Sequence, residues 1–143
     1  MKEVVFINVN YIGNAGDFWS TPIKYYDFSK YNTKHIHYMD VWHFLEGKSG
    51  YEFANIKNSL VILGGGGLLT TEGDFMQKTT KYIIENNKVI LWGVGSNTFK
   101  IPDYSLVSHP NIILAAIRDI VYDVDVNYLP CVSCKHPLFD SQY

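Results

Sequence analysis

Ser59-Leu60-Val61-Ile62-Leu63-Gly64-Gly65-Gly66-Gly67 decides the fold: an apolar run leads straight into four consecutive glycines. A short continuous apolar run reads as a strand covered on both faces. The glycines that follow let the backbone turn sharply and approach other groups closely. The same grammar recurs on either side. Glu3-Val4-Val5-Phe6-Ile7-Asn8-Val9 is a second such run, and Lys88-Val89-Ile90-Leu91-Trp92 is a third that meets Gly93-Val94-Gly95. Residues 34–39 alternate with period two, Asn111 to Ile117 form a further strand ending at Arg118-Asp119, and a short sixth is expected near Val126 to Leu129.

Helical patterns lie between these runs. Ser20-Thr21-Pro22 has a hydroxyl followed by proline, a helix-start signal that predicts a helix to about Lys30. Asp40 to Glu46 and Tyr51 to Lys57 read as short helices separated by Gly47 and Gly50. Gly73 to Asn86 carries Phe75, Met76, Thr79, Tyr82 and Ile83 at helical spacing. Alternating strands and helices predict an α/β domain: a Rossmann-like, open, mostly parallel sheet with helices on both faces. Neither an internal repeat nor a low-complexity linker divides residues 1–143, so one domain is expected.

Composition narrows the function classes. The formal charge is −2, and the 11 lysines are scattered, so neither a nucleic-acid footprint nor a polybasic membrane patch is expected. No apolar stretch approaches the ~20 residues a membrane span needs. No secretory signal is visible, and two cysteines make no disulfide framework, so a cytoplasmic location is expected. Against the lysines stands a single arginine, Arg118.

Ligands of open α/β sheets bind outside the carboxyl ends of the strands. Three glycine-rich segments fall there: Gly13-Asn14-Ala15-Gly16-Asp17, Gly64 to Gly67, and Gly93-Val94-Gly95-Ser96-Asn97. No Gly-Lys-Ser/Thr follows the second, and the first lacks Gly-x-Gly-x-x-Gly, which disfavours ATP hydrolysis and NAD-dependent hydride transfer. Close strand-to-helix packing explains any one of these turns as well as a ligand does.

Taken together, the segments resemble the polysaccharide pyruvyl transferase family. Gly13-Asn14-Ala15-Gly16-Asp17 with Ser20-x-Pro22-x-x-Tyr25 is similar to that family's opening motif. Gly64 to Leu69 is similar to its second loop, and Trp92-Gly93-Val94-Gly95 to its third. Arg118-Asp119 resembles its strand-end pair, and Pro130-Cys131-Val132-Ser133-Cys134 a segment of some members. The resemblance implies one half of a GT-B-like architecture of two facing Rossmann-like domains, with the C-terminal domain lacking here. It implies transfer of a pyruvyl group from phosphoenolpyruvate to a pair of sugar hydroxyls in polysaccharide biosynthesis, with no cofactor. Arg118 becomes the anion contact and Asp17 the hydroxyl-binding group or base. Gly13, Asn14, Gly16, Gly65, Gly66, Gly67, Gly95 and Asn97 become the substrate-binding set. A second domain or another copy of the chain would complete the cleft. The alternative is a sugar-binding or oligomerising remnant without catalysis.

Cys131-x-x-Cys134-x-His136 stands apart from these readings. It is half a zinc site with a possible third ligand, a dithiol, or two reduced thiols, the last being the plainest reading.

Overall fold

A computed structural model describes residues 3–13, 15–69, 74–96, 104–119 and 126–137. Its six strands are β1 (Glu3–Asn8), β2 (Asn32–His37), β3 (Leu60–Gly64), β4 (Lys88–Val94), β5 (Ile112–Ile117) and β6 (Asn127–Tyr128). They form one sheet of order β2-β1-β3-β4-β5-β6, and every pairing is parallel. The α-helices are α1 (Ala15–Phe18), α2 (Tyr38–Leu45) and α3 (Asp74–Asn86). The α/β, Rossmann-like class follows. The winding direction reverses at β1, which lies between β2 and β3, so the switch point falls at the carboxyl ends of β1 and β3. Among the described residues no helix is long and apolar enough to cross a membrane.

Strand alternation sorts the core. Val5, Ile7, Val61, Leu63, Val89 and Leu91 face one side, where Tyr38 and Val41 of α2 and Ile83 and Ile84 of α3 pack on them. Val4, Phe6 and Ile62 face the other side and meet Ile23, Phe28 and Trp92. This second face departs from the sequence expectation. The chain between Ser20 and Lys30 makes only a single 3-10 turn, Pro22–Lys24, where a helix was expected. Asp27 Oδ1 accepts from the Ser29 amide at 2.8 Å, a local bond that competes with helical pairing. The segment is held by Phe28, whose ring meets Phe6 edge-on at 4.8 Å, so packing replaces helical hydrogen bonds. The coverage is incomplete: Leu114, in register with Ile90, is 48% exposed.

Two boundaries also move. β2 ends at His37, because it pairs with β1 from Glu3↔Asn32 to Asn8↔His37, and Tyr38 opens α2. The expected helix over Tyr51 to Lys57 shrinks to a 3-10 turn at Glu52–Ala54, and Asn58 adopts a left-handed φ of 55° before β3. The expected helix from Gly73 is present from Asp74, and β6 covers only two residues.

Tyr38 couples the two packed helices. It is fully buried, its hydroxyl donates to the Met76 carbonyl at 2.8 Å, and it lies 2.7 Å from Thr80 Oγ1. Tyr38→Phe leaves that carbonyl and hydroxyl short of a partner and is expected to cost about 1–2 kcal/mol. Urea denaturation with an unchanged m-value checks this; an unaltered midpoint contradicts it.

Candidate functional site

Parallel pairing brings the carboxyl ends of β1, β3, β4 and β5 to one rim, and the expected loops meet there. Loop 1 (residues 9–21) leaves β1, loop 2 (residues 64–69) leaves β3, and loop 3 begins at Gly95 after β4. The Gly65 amide donates to the Trp92 carbonyl at 3.0 Å, Gly95 to Gly66 at 3.0 Å, and Leu69 to Gly95 at 3.0 Å. The Arg118 amide donates to Val94 at 2.9 Å, so the end of β5 joins the same lattice.

Loop 1 lies down on loop 2. The Asp17 carbonyl gathers it, accepting from Asn8 Nδ2 at 2.9 Å, from Ser20 Oγ at 2.6 Å and from the Ser20 amide at 3.2 Å. Ser20 is buried over Gly65, and a Cβ on Gly65 would run into its side chain and carbonyl. A Cβ on Gly66 would stand 2.8 Å from Asp17 Oδ1. A Cβ on Gly95 would stand 2.6 Å from Arg118 Nε and 2.7 Å from Asp119 Oδ1. Asp17 therefore sits on Gly66 and Arg118 on Gly95, and those two glycines share a hydrogen bond.

The expected substrate set is unevenly placed on the rim. The space before Gly65 holds Ser20, so its missing side chain lets loop 1 close down on it. Gly67 is buried as well, whereas Gly13 and Gly16 are exposed on loop 1. Asn14 and Asn97 lie outside the described residues.

The electrostatics give the two central side chains different settings. Burial pushes the Asp17 carboxyl above the usual aspartate range, and the positive charge of Arg118 partly opposes that rise. Arg118 is half-buried, with Nε 4.0 Å from Asp119 Oδ1. Asp119 is a brace: its Oδ2 accepts from the Ser96 amide at 2.6 Å and from the Tyr104 hydroxyl at 2.9 Å. Lys24 is drawn inward, donating to the Phe18 carbonyl at 2.5 Å with its ammonium over the Phe18 ring, and burial lowers its pKa.

Four contributors escape the motif reading. Asn8 is fully buried at the end of β1, with Oδ1 2.6 Å from His35 Nε2. Since Asn8 Nδ2 donates to Asp17, its Oδ1 must accept, which places the His35 proton on Nε2. His37 Nδ1 accepts from the Asn10 amide at 2.9 Å, so both strand histidines brace the start of loop 1. Trp19 meets His136 edge-on at 4.6 Å and joins loop 1 to the chain after β6. A polar residue closing an apolar strand was the available sequence signal for Asn8; the Trp19 contact had none.

His35 is exposed as a residue, but partial desolvation of its ring lowers its pKa, and Lys24 and His37 lower it further. The unfolded chain then binds more protons than the folded one just below the ordinary histidine value of 6.5. Stability from this group is full above that value and declines as the pH falls through it. Urea unfolding between about pH 7.5 and about pH 5.5 should show an acid-side loss that His35→Gln reduces. An identical slope in the variant contradicts the assignment.

No family model, curated protein or solved structure matches this chain. The site is read from its own geometry. Cys131 and Cys134 are free thiols, and among the described residues no three His, Cys, Asp or Glu side chains gather to hold a metal ion. Cys131, Cys134 and His136 thus form no described metal centre. A concavity of about 340 Å³ lined by Trp42, Lys78 and Glu85 lies between α2 and α3 and includes none of the expected site residues.

Proposed function

We propose that this rim is one half of a pyruvyl transferase-like site, acting on phosphoenolpyruvate and a sugar bearing two suitably placed hydroxyls. The observation that supports the reading most is the placement of Asp17 and Arg118 on the hydrogen-bonded glycines Gly66 and Gly95. A guanidinium recognises carboxylate or phosphate through paired hydrogen bonds, which suits Arg118 to the donor. Ketal formation requires a proton delivered to the enol carbon, protons removed from the two sugar hydroxyls, and departure of the phosphate, which carries away the second proton. A carboxyl raised by burial exchanges protons closer to neutral pH than a solvated one, which suits Asp17 to that task. Exclusion of water requires a body across the rim, a further domain or a second copy of the chain.

Mixing the protein with phosphoenolpyruvate and a sugar panel, with mass-spectrometric detection of the ketal, tests the reaction. In calorimetric titration, Arg118→Lys is expected to weaken phosphoenolpyruvate about tenfold or more, because one fork of the paired contact is lost. Unchanged affinity rejects the donor assignment. Asp17→Asn is expected to keep binding and reduce turnover by about 10²-fold or more.

The exposed Trp19 beside His136 favours a second reading, sugar binding without transfer, since an aromatic face suits a pyranose ring. Sugar-dependent thermal stabilisation with no ketal in the same assay selects it.

A further inference from the structure

The motif that the proposed reaction leaves unused is Cys131-Val132-Ser133-Cys134. Its residues form a tight turn: the Cys134 amide donates to the Cys131 carbonyl at 3.0 Å, and a 3-10 helix spans Val132–Lys135. The ends of such a turn lie within about 7 Å of each other, and disulfides join Cα atoms about 4.4–6.8 Å apart. Consistent with that, both cysteines line the same groove of about 220 Å³, together with Tyr26 and Trp92. Buried Val132 anchors the turn between them. The two sulfurs differ in access: Cys134 is exposed, and Cys131 is half-buried and accepts from Ser133 Oγ at 3.1 Å.

We propose that Cys131 and Cys134 are a reversible dithiol that closes to an intrachain disulfide on reaction with a low-molecular-weight disulfide such as oxidised glutathione. The exposed Cys134 sulfur, as thiolate, attacks one sulfur of the oxidant. A mixed disulfide forms and one glutathione thiolate leaves. The Cys131 sulfur then attacks the Cys134 sulfur, the mixed disulfide breaks, and the second glutathione leaves. Two protein thiols are oxidised, one external disulfide is reduced to two thiols, and the two protons end on the released glutathione.

The position gives the bond something to act on. Pro130 and Cys131 press on Gly93, where β4 runs into loop 3; a Cβ there would stand 3.3 Å from the Pro130 carbonyl oxygen and 3.4 Å from Cys131 Cα. His136, two residues beyond Cys134, holds Trp19 of loop 1. Closing the pair would stiffen the segment that touches the end of β4 and loop 1.

The test uses the full chain, native and monomeric, in buffers of graded reduced and oxidised glutathione, read by intact mass and free-thiol count. The wild type is expected to lose two hydrogens, fall from two free thiols to none and retain no glutathione. Excess reductant reverses this. Cys131→Ser is expected to retain one glutathione on Cys134, since the resolving sulfur is gone; Cys134→Ser forms no intrachain bond. Persistent glutathione on the wild type, disulfide-linked dimers, or a wild type that stays reduced in every buffer each overturns the proposal. The mass readout does not depend on any catalytic activity of the rim.

Discussion

Gly65→Ala is expected to lower the unfolding free energy by about 3 kcal/mol, because two costs fall on one methyl group. Gly65 has φ +63°, a left-handed conformation costing an L-residue about 1–2 kcal/mol. The new Cβ would also meet the Ser20 carbonyl and side chain, and Ser20 is buried and tied to Asp17. Such overpacking typically adds about 1–3 kcal/mol. Gly47 separates the two costs: its φ is +70°, yet a Cβ there meets nothing within 4 Å. Gly47→Ala should therefore cost only about 1 kcal/mol. In thermal melts the Gly65 variant is expected to lose on the order of 10 °C and the Gly47 variant a few degrees. Equal shifts would mean that loop 1 does not rest on loop 2, and the rim as described would fall with it.

Phe6→Ala carries a comparable cost of about 3–5 kcal/mol, the usual range for a buried Phe truncated to Ala. Phe6 is fully buried, and the apolar cluster around it is small, with Val4 and Ile62 as its other buried members. Its contact with Phe28 is what holds the crossover between loop 1 and β2. The loss should therefore be regional as well as global. Leu63→Ala, on the helix-covered face, makes the comparison. Both variants should unfold at lower urea. Only Phe6→Ala should also speed hydrogen exchange at the Tyr31 amide, which donates to Phe28 at 2.9 Å. Equal protection of Tyr31 in the two variants would show that the crossover is held by something other than Phe6.

Both expectations bear on the rim, since the segment carrying Asp17 and Ser20 has little regular structure of its own. Its order comes from Asn8, from the glycine faces beneath it and from Phe28 on Phe6. That dependence also explains why Ser20-Thr21-Pro22 misled as a helix start. Capping signals report local preference, and here burial of Ile23 and Phe28 against the sheet outweighs it.

The strands, their burial and the helix over Asp74–Asn86 were legible in the linear chain, because burial on one or both sides imposes a period that any single segment displays. So was the collection of glycine turns at the carboxyl ends, since parallel strands must all end on the same side. Tertiary structure alone decided what fills the glycines. Gly65 faces Ser20, Gly66 faces Asp17 and Gly95 faces Arg118, and these partners come from other segments of the chain. A glycine records that space was needed; only the folded neighbour across the rim says whether a loop or a ligand takes it.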